Sequence, residues 1–301
     1  KTFEEYNEAL NTVLSMSKDE RKSYEESKGY ISFGRKCDES YDEIDFDEFE
    51  SLEDIKAFAA SNDFIAVIED YDGEIIFEKT LATNRNRYFI NSDRLFQIGD
   101  LVYKAFEDGT AATHISNIHK LAQIKSNSVY TVPEDAEIIV SNITKDSSNL
   151  KDAAYNCGTY FYDGKTNGDF RLGIGVEREQ VNSGSILGGD AFTTLYAGTF
   201  IKVFRKKGFG WAYSNRQVQY TSKVAVDIQT ASGWEREFHK TNGDHGVDGI
   251  YSKTFIHRWL SSGYHYPYAV HFGAYDGYAR LVVQDFHWQI QCNTNIFPWG
   301  Y

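Results

Sequence analysis

Apolar residues at Phe3, Tyr6, Leu10, Val13 and Leu14 recur at the spacing of one helix face. They follow Thr2-Phe3-Glu4-Glu5, a capping box whose hydroxyl and carboxylate satisfy orphan backbone amides. A second box, Ser17-Lys18-Asp19-Glu20, restarts a helix that ends at Gly29, a residue suited to the left-handed position after a helix. Each helix is expected to bury one apolar stripe. Residues 38–50 alternate acids with Tyr41, Ile44, Phe46 and Phe49 and read as a solvated acidic connector without the fixed spacing of a calcium loop. Ser51-Leu52-Glu53-Asp54 then opens a third helix leading to Ile55 and Phe58.

From Phe64 onward the period changes to two. Turn signals at Asp72-Gly73, Gly99-Asp100 and Asp108-Gly109 separate short β-prone runs such as Glu74–Glu78 and Leu101–Phe106, which predicts hairpins. Ile115–Ile124 reads as a short amphipathic helix. Further on, Arg216–Gln229 sets Val218, Tyr220, Val224, Val226 and Ile228 on one face and Gln217, Gln219, Thr221, Lys223, Asp227 and Gln229 on the other, as a half-buried strand requires. Repeated strands with Gly, Asn and Ser punctuation fit two packed antiparallel sheets better than a parallel sheet with crossover helices. The expected fold is α+β, with N-terminal helices plus β-hairpins docked on a C-terminal antiparallel β-sandwich. Residues 1–147 form the mixed region and 153–301 the aromatic-rich domain, joined through the polar stretch Thr144–Asp152.

Charge sharpens that division. Residues 1–150 carry 16 Lys and Arg against 31 Asp and Glu, while 151–301 carry 15 against 13; all five tryptophans and six of the eight histidines follow residue 200. Binding is therefore expected in the second half. The net charge of −13 argues against nucleic acid, and the compact basic cluster Arg205-Lys206-Lys207 is too small to release many counterions. Phe204–Trp211 reads as an exposed hairpin tip; its other reading is a contact with an acidic ligand or with the acidic half of the same chain. The longest apolar run, Phe64–Ile68, is far below the roughly 20 residues of a membrane helix, so no transmembrane segment is expected. The chain starts at Lys1 with no apolar leader, which fits the mature part of an exported precursor or a domain of a larger protein.

Few residues carry a recognisable chemistry. Cys37, Cys157 and Cys292 make no framework; Cys157 with Cys292 is the pairing expected of an exported chain, with buried free thiols as the alternative. His239, His245, His257, His265 and His271 lack metal-ligand spacing, and the loops 163–169 and 242–248 resemble calcium loops only superficially and read as turns. No metal and no cofactor is expected. Neither G-x-S-x-G, S-x-x-K nor a phosphate-cradling glycine loop is present, so no catalytic residue is assigned.

The most specific inference concerns Tyr275-Asp276-Gly277-Tyr278. Asp-Gly between β-prone runs favours a two-residue type I′ turn, which would set Phe272 opposite Leu281, Val270 opposite Val283, Tyr268 opposite Asp285 and Tyr266 opposite His287. Phe286, Trp288 and Ile290 then become the apolar set. Tyr266, Tyr268, Asp285 and His287 would gather on one face as a hydrogen-bonding site for a sugar or other polar ligand, with Trp288 and Trp259 as aromatic platforms. Pro267 lacks a ladder donor and can shift this register.

Phe3-Glu4-Glu5-Tyr6 through Leu10, Met16-Ser17-Lys18-Asp19-Glu20-Arg21 and Gly29-Tyr30-Ile31-Ser32-Phe33 resemble the opening of uncharacterised exported lipoproteins of Bacteroidales. Leu95-Phe96-Gln97-Ile98-Gly99-Asp100-Leu101-Val102-Tyr103 is similar to their recurring β-hairpin. The resemblance implies export to the periplasm, the outer membrane or the cell surface, and a lipid anchor on a removed N-terminal Cys; it implies no activity. The resulting expectation is a non-catalytic binding or surface-assembly protein whose partner is a glycan or a surface protein. A glycan-directed hydrolase is the alternative, and would need two acids at glycosidase spacing.

Overall fold

The computed structural model describes residues 3–69, 73–82, 84–126, 128–142, 160–183, 192–230, 233–248, 250–260, 269–282 and 285–293. Four helices open the chain: α1 (Phe3–Ser15), α2 (Lys18–Lys28), α3 (Phe33–Asp42) and α4 (Leu52–Ala60). Strands β1 (Ile65–Glu69), β2 (Ile75–Lys79), β3 (Leu95–Ile98), β4 (Leu101–Phe106) and β5 (Gly109–His114) follow, then α5 (Ile118–Ala122) and β6 (Ile139–Asn142). The rest is strand: β7 (Tyr160–Asn167), β8 (Phe170–Ser183), β9 (Phe192–Lys207), β10 (Gly210–Tyr213), β11 (Asn215–Thr230), β12 (Gly233–Asp248), β13 (Ile250–Leu260), β14 (Ala269–Leu281) and β15 (Phe286–Asn293). The protein is α+β, with almost wholly antiparallel pairing. No helix among the described residues is long and apolar enough to cross a membrane.

The chain divides into two compact units, Lys1–Asn142 with Phe204–Ser214, and Ile143–Val203 with Asn215–Tyr301. In the first unit Ser17 and Glu20 cap α2 reciprocally and Gly29 closes it at φ 70°, as the sequence pattern requires. The pattern fails in two places. Helix α2 has no apolar stripe, and its buried residue is Glu25, whose carboxylate accepts from the Ser32 amide (3.1 Å) and hydroxyl (2.6 Å). The acidic stretch is no simple connector either, because α3 occupies its start and buries Cys37, Asp38 and Tyr41.

Strand β2 pairs with β1 antiparallel and with β10 in parallel, and β10 returns along the end of β9. Phe77 of β2 stacks on Phe46 within a core that includes Tyr41, Ile55, Ile65 and Ala212, while Ile76, Phe204 and Trp211 fill the other side. Both readings of the basic hairpin hold, since Arg205 and Lys206 are exposed while neighbouring residues meet acids from the first part of the chain. Lys207 pairs with Asp47 at 2.5 Å and the Trp211 indole donates to Glu74 at 2.8 Å, while Phe209 stays exposed at the tip. A separate sheet runs β3-β4-β5-β6, and Val102, Phe106 and Ala111 pack against Leu121 of α5.

The second unit consists of two sheets. One pairs β7 with β8 and sets β9 between β8 and β13; the other runs β12-β11-β14-β15. They face each other, β8 lying on β14 and β15, and β7 on β15. The alternation of β11 holds, with Val218, Tyr220, Val224 and Val226 buried on one face; Asp227 lies on the other, where its cross-strand partner Arg236 grips both carboxylate oxygens, and the register against β14 shifts between Ala225 and Val226. The segment 242–248, read as a turn, lies inside β12. Each of its residues is paired across to β11, and that continuous ladder overrides the local turn preference of Asn242-Gly243.

Candidate functional site

Directly paired residues of an antiparallel sheet share a face, so the register of β11, β14 and β15 defines what that sheet shows to solvent. Gly277, Ala279 and Leu281 of β14 and Phe286 of β15 are buried, whereas Asp276, Tyr278, Arg280, His287 and Gln289 face outward with Gln219, Thr221 and Lys223 of β11. Arg280 lies between Gln219 and His287, and Tyr278 between Thr221 and Gln289. Tyr278 also reaches the diagonal position. Its ring stacks on that of His287 with centroids 6.0 Å apart and planes inclined by 29°.

Polar groups frame this ring pair. Arg280 donates through Nε to Asp285 Oδ1 at 2.7 Å, with its terminal nitrogen 2.6 Å from the same oxygen, and more weakly to Gln219 Oε1 at 3.4 Å. On the other side the Gln289 amide donates to Asp276 at 3.2 Å. Asp285 occupies a left-handed conformation, φ 49°, and its amide closes the β14–β15 turn onto the Val282 carbonyl. Its carboxylate is 77% exposed, leaving a lone-pair face open to a ligand while Arg280 fixes its direction. The arrangement is a flat, solvated surface with aromatic faces and planar hydrogen-bonding groups.

The structure places the six sequence-predicted residues differently. Asp285 and His287 belong to this face. Trp288 is one residue further along β15 and therefore points to the opposite, inner side, where the Lys165 ammonium sits 5.0 Å from its ring centre. Trp259 lies in β13 opposite Thr193, its side chain outside the described residues, and Tyr266 and Tyr268 fall wholly outside them. The turn at Asp276-Gly277 is a correction. Both residues lie mid-strand, opposite Lys223 and Ser222 on one side and Gln291 and Ile290 on the other. Leu281 consequently faces Phe286 instead of Phe272, and the chain reverses between Val282 and Asp285. Strand β14 is paired on both edges, and that two-sided ladder outweighs a two-residue turn preference. Tyr278, Arg280, Asp276, Gln289 and Gln219 were missed; the alternation of polar Asp276, Tyr278 and Arg280 with small or apolar Gly277, Ala279 and Leu281 was their signal.

A second polar cluster lies in the first unit. Asp38 accepts from Arg87 at 2.9 Å, Lys79 at 3.0 Å and the Tyr88 hydroxyl at 3.1 Å, all four side chains being buried. Burial pushes the Asp38 carboxyl up, but the charges of Arg87 and Lys79 outweigh it and hold the group well below the usual carboxylate range. Burial pushes the neighbouring Cys37 thiol up to about 11 and the Tyr88 hydroxyl up to about 12. Protein groups occupy this carboxylate and both thiol contacts are to backbone carbonyls, so the cluster is built to hold α3 against β2 and not to react. Among the described residues no three His, Cys, Asp or Glu side chains converge as a metal site.

An α+β protein with a two-sheet unit that exposes a ring-and-amide face is the class these features define. No family model matches the sequence, and no curated protein matches it. Among solved structures the chain is similar to a crystal structure of a DUF4848 family protein from Bacteroides thetaiotaomicron. The identity is 17% over 97% of this chain and 94% of that chain, with a TM-score of 0.28, a likeness that bears on neither site nor activity.

Proposed function

We propose that this chain is an exported, non-catalytic binding protein that takes a glycan on the outer face of the β11–β14–β15 sheet. The stacked pair of Tyr278 and His287, exposed between Asp285–Arg280 and Asp276–Gln289, carries the reading. A pyranose offers an apolar C–H face to an aromatic ring and equatorial hydroxyls to groups around it. Carboxylate, amide and guanidinium side chains in one plane satisfy those hydroxyls without a deep pocket. Export to the periplasm or cell surface, with a lipid anchor on a precursor, accords with the resemblance of the opening segments to exported lipoproteins.

A glycan array probed with the intact chain tests this, followed by calorimetry on any hit. A ring contact contributes about 0.5–1.5 kcal/mol, so Tyr278→Ala and His287→Ala should each weaken binding about 2–12-fold. Asp285→Asn should weaken it further. Binding that survives all three substitutions, or its absence across the array, would overturn the proposal.

A further inference from the structure

On the outward face of the same sheet two lysines stand directly opposite each other. Lys223 of β11 pairs across with Lys240 of β12, and directly opposed side chains of an antiparallel sheet lie only ~5 Å apart at their Cβ atoms. Like charges so placed repel. The other arginines of this face are each held by a carboxylate, Arg280 by Asp285 and Arg236 by Asp227, while Lys223 has Asp276 as its partner on the β14 side. Lys240 has no such relief. It is exposed and makes no ion pair among the described residues, on a chain whose net charge of −13 would readily have supplied one.

Register fixes where this pair lies relative to the rings. Tyr278 is level with Thr221, so Lys223 is its diagonal neighbour at ~8 Å, on the side away from His287. The next diagonal position is Phe238 of β12, which is 55% exposed and about 17 Å from Tyr278 by strand spacing and rise. His287, Tyr278, Lys223 and Phe238 thus follow one another along a diagonal of the face, with Lys240 beside Lys223. Aromatic rings stand at both ends and the two ammonium groups lie between them.

We propose that the glycan taken by this face is an acidic oligosaccharide, longer than a disaccharide, lying along that diagonal; the inference rests on the glycan reading above. Its sugar rings stack on Tyr278 and Phe238, and a carboxylate or sulfate on the sugar between them accepts from Lys223 and Lys240. The anion relieves the repulsion of the paired lysines. A neutral chain of the same length leaves the two ammonium groups opposed, so the face discriminates by charge as well as by shape.

The test compares each glycan that the full chain binds on an array with its own neutralised form, uronic acids being reduced to the alcohol and sulfate esters removed by solvolysis. The two arms identify which anion is read. Two exposed ion contacts predict that neutralisation weakens binding about 4–25-fold, and Lys223→Gln or Lys240→Gln should each shrink that difference about 2–5-fold. Added salt should shrink it too. Tyr278→Ala should weaken both forms alike, and Phe238→Ala should remove the advantage of longer chains over the disaccharide. Ligands that are neutral, or whose affinity survives neutralisation, would overturn the acidic reading and leave a glycan on the face. An acid preference that persists in both lysine variants would overturn its placement, and a blank array would overturn both readings together.

Discussion

Replacing Asp38 by Asn should be among the most destabilising single changes in this protein. The carboxylate is the shared partner of Lys79 and Arg87, which are 2% and 3% exposed at their side chains. Asparagine keeps the shape but not the charge, so two cations remain in a low-dielectric interior without compensation. Removing one member of a buried ion cluster costs about 3–5 kcal/mol. For a unit of this size each kcal/mol moves the midpoint by about 2–4 °C, which gives a fall of roughly 6–20 °C. Urea and thermal melts followed by circular dichroism would measure it. The pH dependence supplies a second readout. Because the folded carboxyl titrates below its unfolded value of about 3.9, its contribution is complete above that pH and is lost as pH falls further. Wild type should therefore lose stability steeply below about pH 4, and Asp38→Asn should lack that part of the slope. A variant within about 1 kcal/mol of wild type, with an unchanged acid slope, would show that Lys79 and Arg87 do not depend on this carboxylate.

Three smaller tests address the same unit. Gly34→Ala would bring a Cβ to 2.7 Å from the Tyr88 ring and 2.9 Å from the Arg87 carbonyl, and should cost about 1–3 kcal/mol in urea melts. Gly29→Ala meets open space, so its cost should be only the left-handed backbone penalty of about 1 kcal/mol; equal losses at the two positions would contradict this distinction between crowding and conformation. Cys37, buried with its thiol pushed up to about 11, should resist iodoacetamide at pH 8 and react fully in urea, as peptide mapping would show; ready labelling in the native state would refute its burial.

What was legible in the sequence was local. The capping box at Ser17, the left-handed Gly29, the Ser51 cap and the hairpin turns at Gly99 and Asp108-Gly109 all depend on residues within a few positions of each other. Helix α3 escaped because Ser32 caps it through the Arg35 amide, without the Glu or Gln that completes a recognisable box. The burial of Asp38 was invisible for a different reason, since its partners Lys79 and Arg87 are 41 and 49 residues away. At the candidate site a true local preference lost to a long-range one. Asp276-Gly277 favours reversal in isolation, but β11, more than fifty residues earlier in the chain, holds these residues extended. Asp285 and His287 share a face despite the wrong turn because period two alone requires it, and the same period places Trp288 on the other.

Strand β9 passes from one compact unit into the other at Val203–Phe204, and the chain returns at Ser214–Asn215. During synthesis, Phe204 and Trp211 therefore emerge at least 62 residues after Asn142, a lag of roughly 3–12 s at ordinary elongation rates. Throughout that interval Ile76 lacks its covering rings and one edge of β2 has no neighbour, the condition in which nascent chains recruit wrong partners. The second unit must begin to be made before the first can finish folding.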